Sequence, residues 1–160
     1  MSLLDELAPG LTGIEQMREL IRRGGVAPIG EVLDFALVEV DEGRALFEGT
    51  PGAQSYNPLG TVHGGYAATL LDSACGCAVH SRLAATQGYT TLELKVAYHR
   101  PVTTATGKLR AEGRVLSFGR RAAFAEAKLT DLNGKLYASA TSTLLVFERV
   151  EPVAAAAQSP

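Results

Sequence analysis

Asp72 is the only formal charge in the run from His63 to His80, which reads HGGYAATLLDSACGCAVH. A carboxylate among apolar neighbours loses hydration, so partners or a chemical task must retain it. Gly64-Gly65 follow His63 and open the same run, eight positions before Asp72 in the case of Gly64. A helix start carries unclaimed N–H groups and partial positive charge, both of which favour an anion. Glycine at that point leaves room for a ligand to approach the backbone. A carboxylate that serves as nucleophile or general base, facing an amide that holds an oxyanion, makes up the core of acyl-transfer chemistry. Asp72 takes the first role and the Gly64 N–H the second. The structural alternatives are a salt bridge at a subunit interface for Asp72 and a plain loop-to-helix break for Gly64-Gly65.

Other side chains nearby have fitting chemistry. The Asn57 amide could donate to a carbonyl or place a water, although Asn57-Pro58 is also a common turn dipeptide. His63 could orient the loop, bond to substrate or cap the helix. Thr91 and Ser73 are hydroxyls suited to holding a water or the Asp72 carboxylate. Thr90 is the adjacent alternative to Thr91, on the opposite face of the strand. Phe35, Phe47, Tyr56, Tyr66, Phe118 and Phe124 are candidates for core or pocket. No Cys or acidic pair stands at ligand spacing from His63, so no metal site is expected. His80, Arg82 and His99 receive no role.

These residues need elements to hold them. Ile14, Met17, Leu20 and Ile21 recur at helical spacing between Thr12-Gly13 and Gly24-Gly25, which predicts a short helix over 13–23 after a loose leader. Pro28 and Gly30 open a strand region, and alternation from Glu31 to Val40, a turn at Asp41-Glu42-Gly43 and a run to Gly49 predict a β-hairpin. Residues 50–62 read as loop. A helix is expected from Gly64 to about Leu83, thinned by Ala67, Ala68, Ala74, Gly76 and Ala78 so that a sheet could lie close against it. Thr90 to Tyr98 alternates as a strand and stops at Arg100-Pro101. Three further strands, Gly107–Leu116, Arg120–Thr130 and Lys135–Phe147, joined by tight turns, form a meander. The fold class is therefore α+β, an antiparallel sheet wrapped around one long central helix.

Bulk properties exclude several function classes. The 160 residues suit one domain, and Lys+Arg 15 against Asp+Glu 17 gives a net charge of −2 with no basic patch, so nucleic acid is not an expected partner. No apolar run reaches membrane-spanning length, and the N-terminus, with Asp5 and Glu6, lacks a secretory pattern. Cys75 and Cys77 are read as small buried thiols in a reducing, cytoplasmic setting. The chain divides into a leader with a short helix (1–27), the main domain (28–150) and a disordered tail (151–160).

The segment Asn57-Pro58-Leu59-Gly60-Thr61-Val62-His63-Gly64-Gly65, followed by Asp72, the Thr91-Leu92-Glu93-Leu94 strand and the Gly119-Arg120-Arg121 turn, resembles the hotdog-fold acyl-CoA thioesterases. The PaaI-like branch is most similar; it includes phenylacetate-pathway enzymes and one type of 4-hydroxybenzoyl-CoA thioesterase. The likeness covers about residues 28–148. It implies hydrolysis of a small aryl- or medium-chain acyl-CoA to free acid and CoA, with no cofactor beyond the coenzyme A of the substrate. It implies a homodimer whose sheets join edge to edge, often paired again into a tetramer, with the loop of one subunit facing the helix carboxylate of the other. It strengthens functional roles for Asn57, His63 and Thr91, and places Gly65, Ser73, Gly119, Arg120 and Arg121 toward substrate, with turn amides on the pantetheine arm and guanidinium groups on phosphate. Two other functions fit the same fold: a hotdog dehydratase or hydratase, and a non-catalytic acyl-CoA-binding or sensor protein.

Overall fold

The computed structural model describes residues 3–149, so the tail expected at 151–160 lies outside the described residues. A six-stranded antiparallel sheet curls around one helix. The strands are β1 (Phe35–Asp41), β2 (Arg44–Gly49), β3 (Gln87–Tyr98), β4 (Leu109–Phe118), β5 (Ala122–Asp131) and β6 (Leu136–Glu148). Their order across the sheet is β1-β2-β4-β5-β6-β3, which leaves β3 on an edge. The enclosed helix is α3 (Gly64–His80); α1 (Gly13–Arg23) and α2 (Pro28–Leu33) precede the sheet. This is the hotdog fold.

Small residues set the distance between helix and sheet. Leu70, Leu71, Ala74, Cys75, Ala78 and Val79 of α3 are completely buried. They meet an inner sheet face built from Ala111, Ala123, Ala125, Ala127 and Ala138, with Leu129 and Leu144 filling the ends. At Gly113 the approach is so close that a Cβ would collide with the Ala74 carbonyl. Alanine and glycine on both surfaces let the sheet close around the helix at native packing density.

The structure departs from expectation at several element boundaries, β3 among them, which begins at Gln87 rather than Thr90. Residues 28–33 form a helical turn rather than a strand: Pro28 suits the first helical position, and Asp34 stops the helix in a left-handed conformation, φ 55°. The helix α3 ends at His80 rather than Leu83. There the Ser81 hydroxyl bonds back to the Ala78 carbonyl and accepts the Gly43 N–H, while the Leu83 carbonyl takes the Gly13 N–H. Tertiary partners thus claim the groups that would have extended it. The β4–β5 turn falls at Gly119–Arg121, because a bulge between Val115 and Ser117 carries β4 on to Phe118.

Candidate active site

Asp72 and Thr91 face each other between α3 and the edge strand β3. The Thr91 hydroxyl donates to Asp72 Oδ1 at 3.1 Å, and both side chains are half-buried. Alternation puts the exposed Thr90 on the outer face, away from the helix. Ser73, the next helical residue, makes no bond to Asp72 among the described residues. Along the same helix face the next turns bring Gly76 and His80, both of which meet Tyr89 of β3. A Cβ on Gly76 would lie 2.7 Å from the Tyr89 hydroxyl, and the His80 and Tyr89 rings stack edge-on at 5.7 Å. Asp72 also shapes its surroundings electrically. Burial, followed by the negative charge of Asp72, pushes the Cys77 thiol up to about 12; burial and the same charge do likewise for Cys75. Neither thiol is therefore a nucleophile near neutral pH.

A second cluster gathers at the start of α3. His63 is the N-cap, and its Nδ1 accepts the Gly65 N–H at 2.8 Å. Because Nδ1 accepts, the neutral ring carries its proton on Nε2. The Tyr98 hydroxyl donates to the Gly64 carbonyl at 3.0 Å, and its ring sits over the space a Gly64 Cβ would occupy, 3.0 Å from that point. The Gly64–Gly65 peptide is thus held at both ends. The Gly64 N–H, one bond earlier, makes no hydrogen bond among the described residues. Gly65 is spent on the cap, and Gly64 presents the free donor. Gly64 lines a groove of about 340 Å³, together with Asn57, His63, Tyr98, Arg100 and Tyr137.

Asn57 shapes the loop rather than reaching outward. Its Oδ1 accepts the Leu59 N–H at 2.9 Å and the Thr61 N–H at 3.3 Å, and its Nδ2 donates to the Thr61 hydroxyl at 3.0 Å. These bonds satisfy the carbonyl side of the amide and use one of its two N–H donors, as a turn-forming asparagine does. Gly119 is likewise occupied, its N–H closing the hairpin onto Ala122 O at 2.8 Å. The expectation that this amide is offered to substrate does not hold within the chain. Arg120 and Arg121 are exposed at the tip, beside Phe118, over which Arg82 lies 5.0 Å from the ring centre.

The structure thus brings Asp72 with Thr91, and separately His63, Gly64, Gly65 and Asn57. At 1.5 Å per helical residue, Gly64 and Asp72 stand roughly 12 Å apart along α3. One carbonyl cannot touch both within a single chain. Tyr98 is the site residue that spacing did not reveal: strand alternation explained it fully, and its hydroxyl's partner lies 34 positions earlier. Of the candidate aromatics, Phe35, Phe47 and Tyr66 are core, Tyr56 bonds Thr104, and Phe124 points outward at 47% exposure, because β5 alternation gives the inner face to its alanines.

Fold and site together define a hotdog protein whose helix carries an acid and whose helix start offers a free amide. Residues 59–138 match the thioesterase superfamily, and the chain belongs to that family. A protein of Halobacterium salinarum with a provisional esterase designation is 44% identical over 69 residues; the match covers 42% of this chain and 44% of that relative, less than half of either. Among solved structures, a mutant of the phenylacetic acid degradation protein PaaI from Thermus thermophilus is 28% identical, covering 74% of this chain and 98% of its own at a TM-score of 0.68. A provisional thioesterase of Ralstonia eutropha, related to phenylacetic acid degradation, is 26% identical, covering 81% and 98% at a TM-score of 0.72. No helix among the described residues is long and apolar enough to cross a membrane.

Proposed function

We propose that the protein hydrolyses acyl-CoA thioesters in a homodimer, each active site being built from two chains. The observation that carries this is the separation of the two half-sites: an acid with a hydroxyl partner in one place, and an unclaimed amide roughly 12 Å away along the same helix. A second copy can unite them. The strand β3 is a twelve-residue edge with one side unpaired and Leu92 61% exposed, the kind of edge that proteins cover or pair. Antiparallel pairing of two such edges about a two-fold axis at Lys95, with the bulge between Thr91 and Glu93 taking up one residue, sets the partner's Tyr98 opposite Thr91. The partner's Gly64, held by that tyrosine, then comes to Asp72.

In this site the thioester oxygen lies on the Gly64 N–H, which takes up the charge that develops as the carbonyl is attacked. Either Asp72 attacks the carbonyl carbon, forming a mixed anhydride that water then opens, or Asp72 removes a proton from the attacking water. In both routes the C–S bond breaks, CoA leaves as thiolate and takes a proton, and the free acid departs. Thr91 orients the carboxylate. His63 Nε2–H is a further donor at the groove, and Arg120 and Arg121 supply cations for the CoA phosphates. The setting is the cytoplasm, and a dimer of dimers is the fuller assembly.

Thiol release from a panel of acyl-CoAs tests this. Asp72→Asn is expected to lose at least a hundredfold in kcat; unchanged turnover would remove Asp72 from the reaction. Single turnover in heavy-oxygen water separates the two routes, since only nucleophilic attack puts an enzyme oxygen into the first product.

A further inference from the structure

The groove that holds Gly64 is one-sided in charge. Its titratable walls are His63, Tyr98, His99, Arg100 and Tyr137, and among the described residues no Asp or Glu lines it. Asp131 touches this wall only through Tyr137, whose hydroxyl it accepts at 3.5 Å; its other oxygen takes the Asn133 and Lys135 N–H groups of the β5–β6 turn. Arg100 is therefore the permanent charge of the groove. It stands just past the end of β3, where the His99 and Arg100 N–H groups both meet the Tyr137 carbonyl, at 2.8 and 3.2 Å. Arg100 Nη1 donates to the Leu136 carbonyl at 2.6 Å. That bond anchors the guanidinium through one donor and leaves the others free, and Arg100 makes no ion pair among the described residues. The two histidines are partly committed, His63 Nδ1 to the Gly65 N–H and His99 Nε2 to the Ser139 hydroxyl at 2.9 Å. A fixed cation and a free amide in one groove of about 340 Å³, at the lower end of ligand-site volumes, suit a small anionic group.

Two parts of an acyl-CoA can carry that anion: the phosphates of CoA, or an acid on the acyl group. Sheet register separates them. Ala122 pairs with Leu145, and Leu145 with Thr90, so the Arg120–Arg121 tip lies level with the Thr91 end of β3, the end that holds Asp72. Arg100 lies past the opposite end of the strand. In the paired dimer, the partner's Gly64 and Arg100 come to Asp72 from across the β3 edge, with the Arg120–Arg121 tip on the other side. With the CoA phosphates at that tip, the acyl group leaves the carbonyl toward the partner's groove. We infer that Arg100 reads a carboxylate at the far end of the acyl group, so that the substrate is the CoA monothioester of a short dicarboxylic acid. The inference rests on the thioesterase proposal above and adds the substrate class. Water adds across the C–S bond as before, and the products are the free dicarboxylate and CoA. The planar guanidinium meets a carboxylate through parallel N–H bonds, whereas a neutral chain of the same length ends against a cation it cannot bind.

The test is kcat/KM for adipyl-CoA, its monomethyl ester and hexanoyl-CoA, in wild type, Asp72→Asn, Arg100→Gln and Arg100→Lys. Wild type is expected to prefer adipyl-CoA about tenfold or more over both neutral substrates, as a charge-assisted pair of hydrogen bonds provides. Arg100→Gln is expected to lower the adipyl-to-hexanoyl ratio about tenfold or more. Arg100→Lys, which keeps the charge and loses the fork, is expected to lower it less. Should Arg100→Gln not fold, the ester comparison in wild type removes the same charge pair from the substrate side. An equal loss for adipyl- and hexanoyl-CoA in Arg100→Gln would mean that Arg100 serves the CoA phosphates. That result, or a wild type with no preference for adipyl-CoA, would overturn the inference while leaving an Asp72-dependent hydrolase intact. Turnover indifferent to Asp72→Asn, or no turnover of any thioester, would overturn both.

Discussion

The Tyr98 hydroxyl donates to the Gly64 carbonyl oxygen at 3.0 Å, tying the last residue of the edge strand to the first residue of the central helix. The bond fixes which amide of the glycine pair is left over. With the Gly64 carbonyl held by Tyr98 and the Gly65 N–H held by His63, only the Gly64 N–H remains for a ligand. Tyr98 acts through Gly64 and is a positioning residue. Removing one such hydrogen bond costs about 0.5–1.5 kcal/mol, so Tyr98→Phe is expected to lower kcat about three- to tenfold with little change in KM. Steady-state kinetics beside a melting curve check it; a purely structural tyrosine would lower the melting temperature and leave kcat alone.

Thr91 holds one oxygen of Asp72. Thr91→Val keeps the shape and removes the donor, and a loss of about three- to tenfold in kcat is expected. Thr91→Ser, which restores the hydroxyl, is expected to recover most of it. Equal damage from both variants would mean that packing rather than the hydrogen bond matters here.

Much of this site was legible because its residues break a local rule. Asp72 stands out as a charge among apolar neighbours, and Gly64-Gly65 as glycines where a helix must start. The meander was equally plain from alternation and turn residues between Leu109 and Glu148. What spacing hid were side chains satisfied across long distances. Tyr98 looked like an ordinary strand residue because its partner is far away in the chain. Asn57 read equally as a donor to substrate or a turn former, and its bonds to the Leu59 and Thr61 backbone follow the turn reading. The helical turn at Pro28–Leu33 was missed because six residues are too few for a period to declare itself, and the early end of α3 because Ser81 is claimed by Gly43 of a distant hairpin.

His80 is a buried histidine used as a strut. Burial, and then the nearby positive Arg149, pull its pKa from 6.5 down to about 4. The unfolded chain therefore binds a proton between those values that the folded chain refuses, so stability falls as pH drops through that window. The loss amounts to up to about 3 kcal/mol at one pKa unit per 1.36 kcal/mol. Chemical denaturation at pH 7 and pH 4 should show this slope in wild type and a shallower one in His80→Gln. Equal slopes would mean that another group is responsible.

Gly113 lies directly against the Ala74 carbonyl of α3. Gly113→Ala forces a methyl group into the Ala74 carbonyl, and overpacking of this kind costs about 1–3 kcal/mol. Urea midpoints measure it; a stability equal to wild type would mean that the sheet can move away from α3 more easily than its packing suggests.

The central claim is that each active site takes its acid from one chain and its amide from another, and subunit complementation tests it most directly. Asp72→Asn removes the acid. Gly64→Pro deletes the N–H, and its Cβ also presses on the Tyr98 ring, 3.0 Å from that position; the backbone accepts it, since His63 already has the extended conformation, φ −60° and ψ 136°, that precedes proline. Each variant alone should be nearly inactive. Unfolded together in equal amounts and refolded, half the dimers are mixed, and each mixed dimer holds one intact site of two, so about a quarter of wild-type turnover should return. A mixture no more active than its parents would contradict the account.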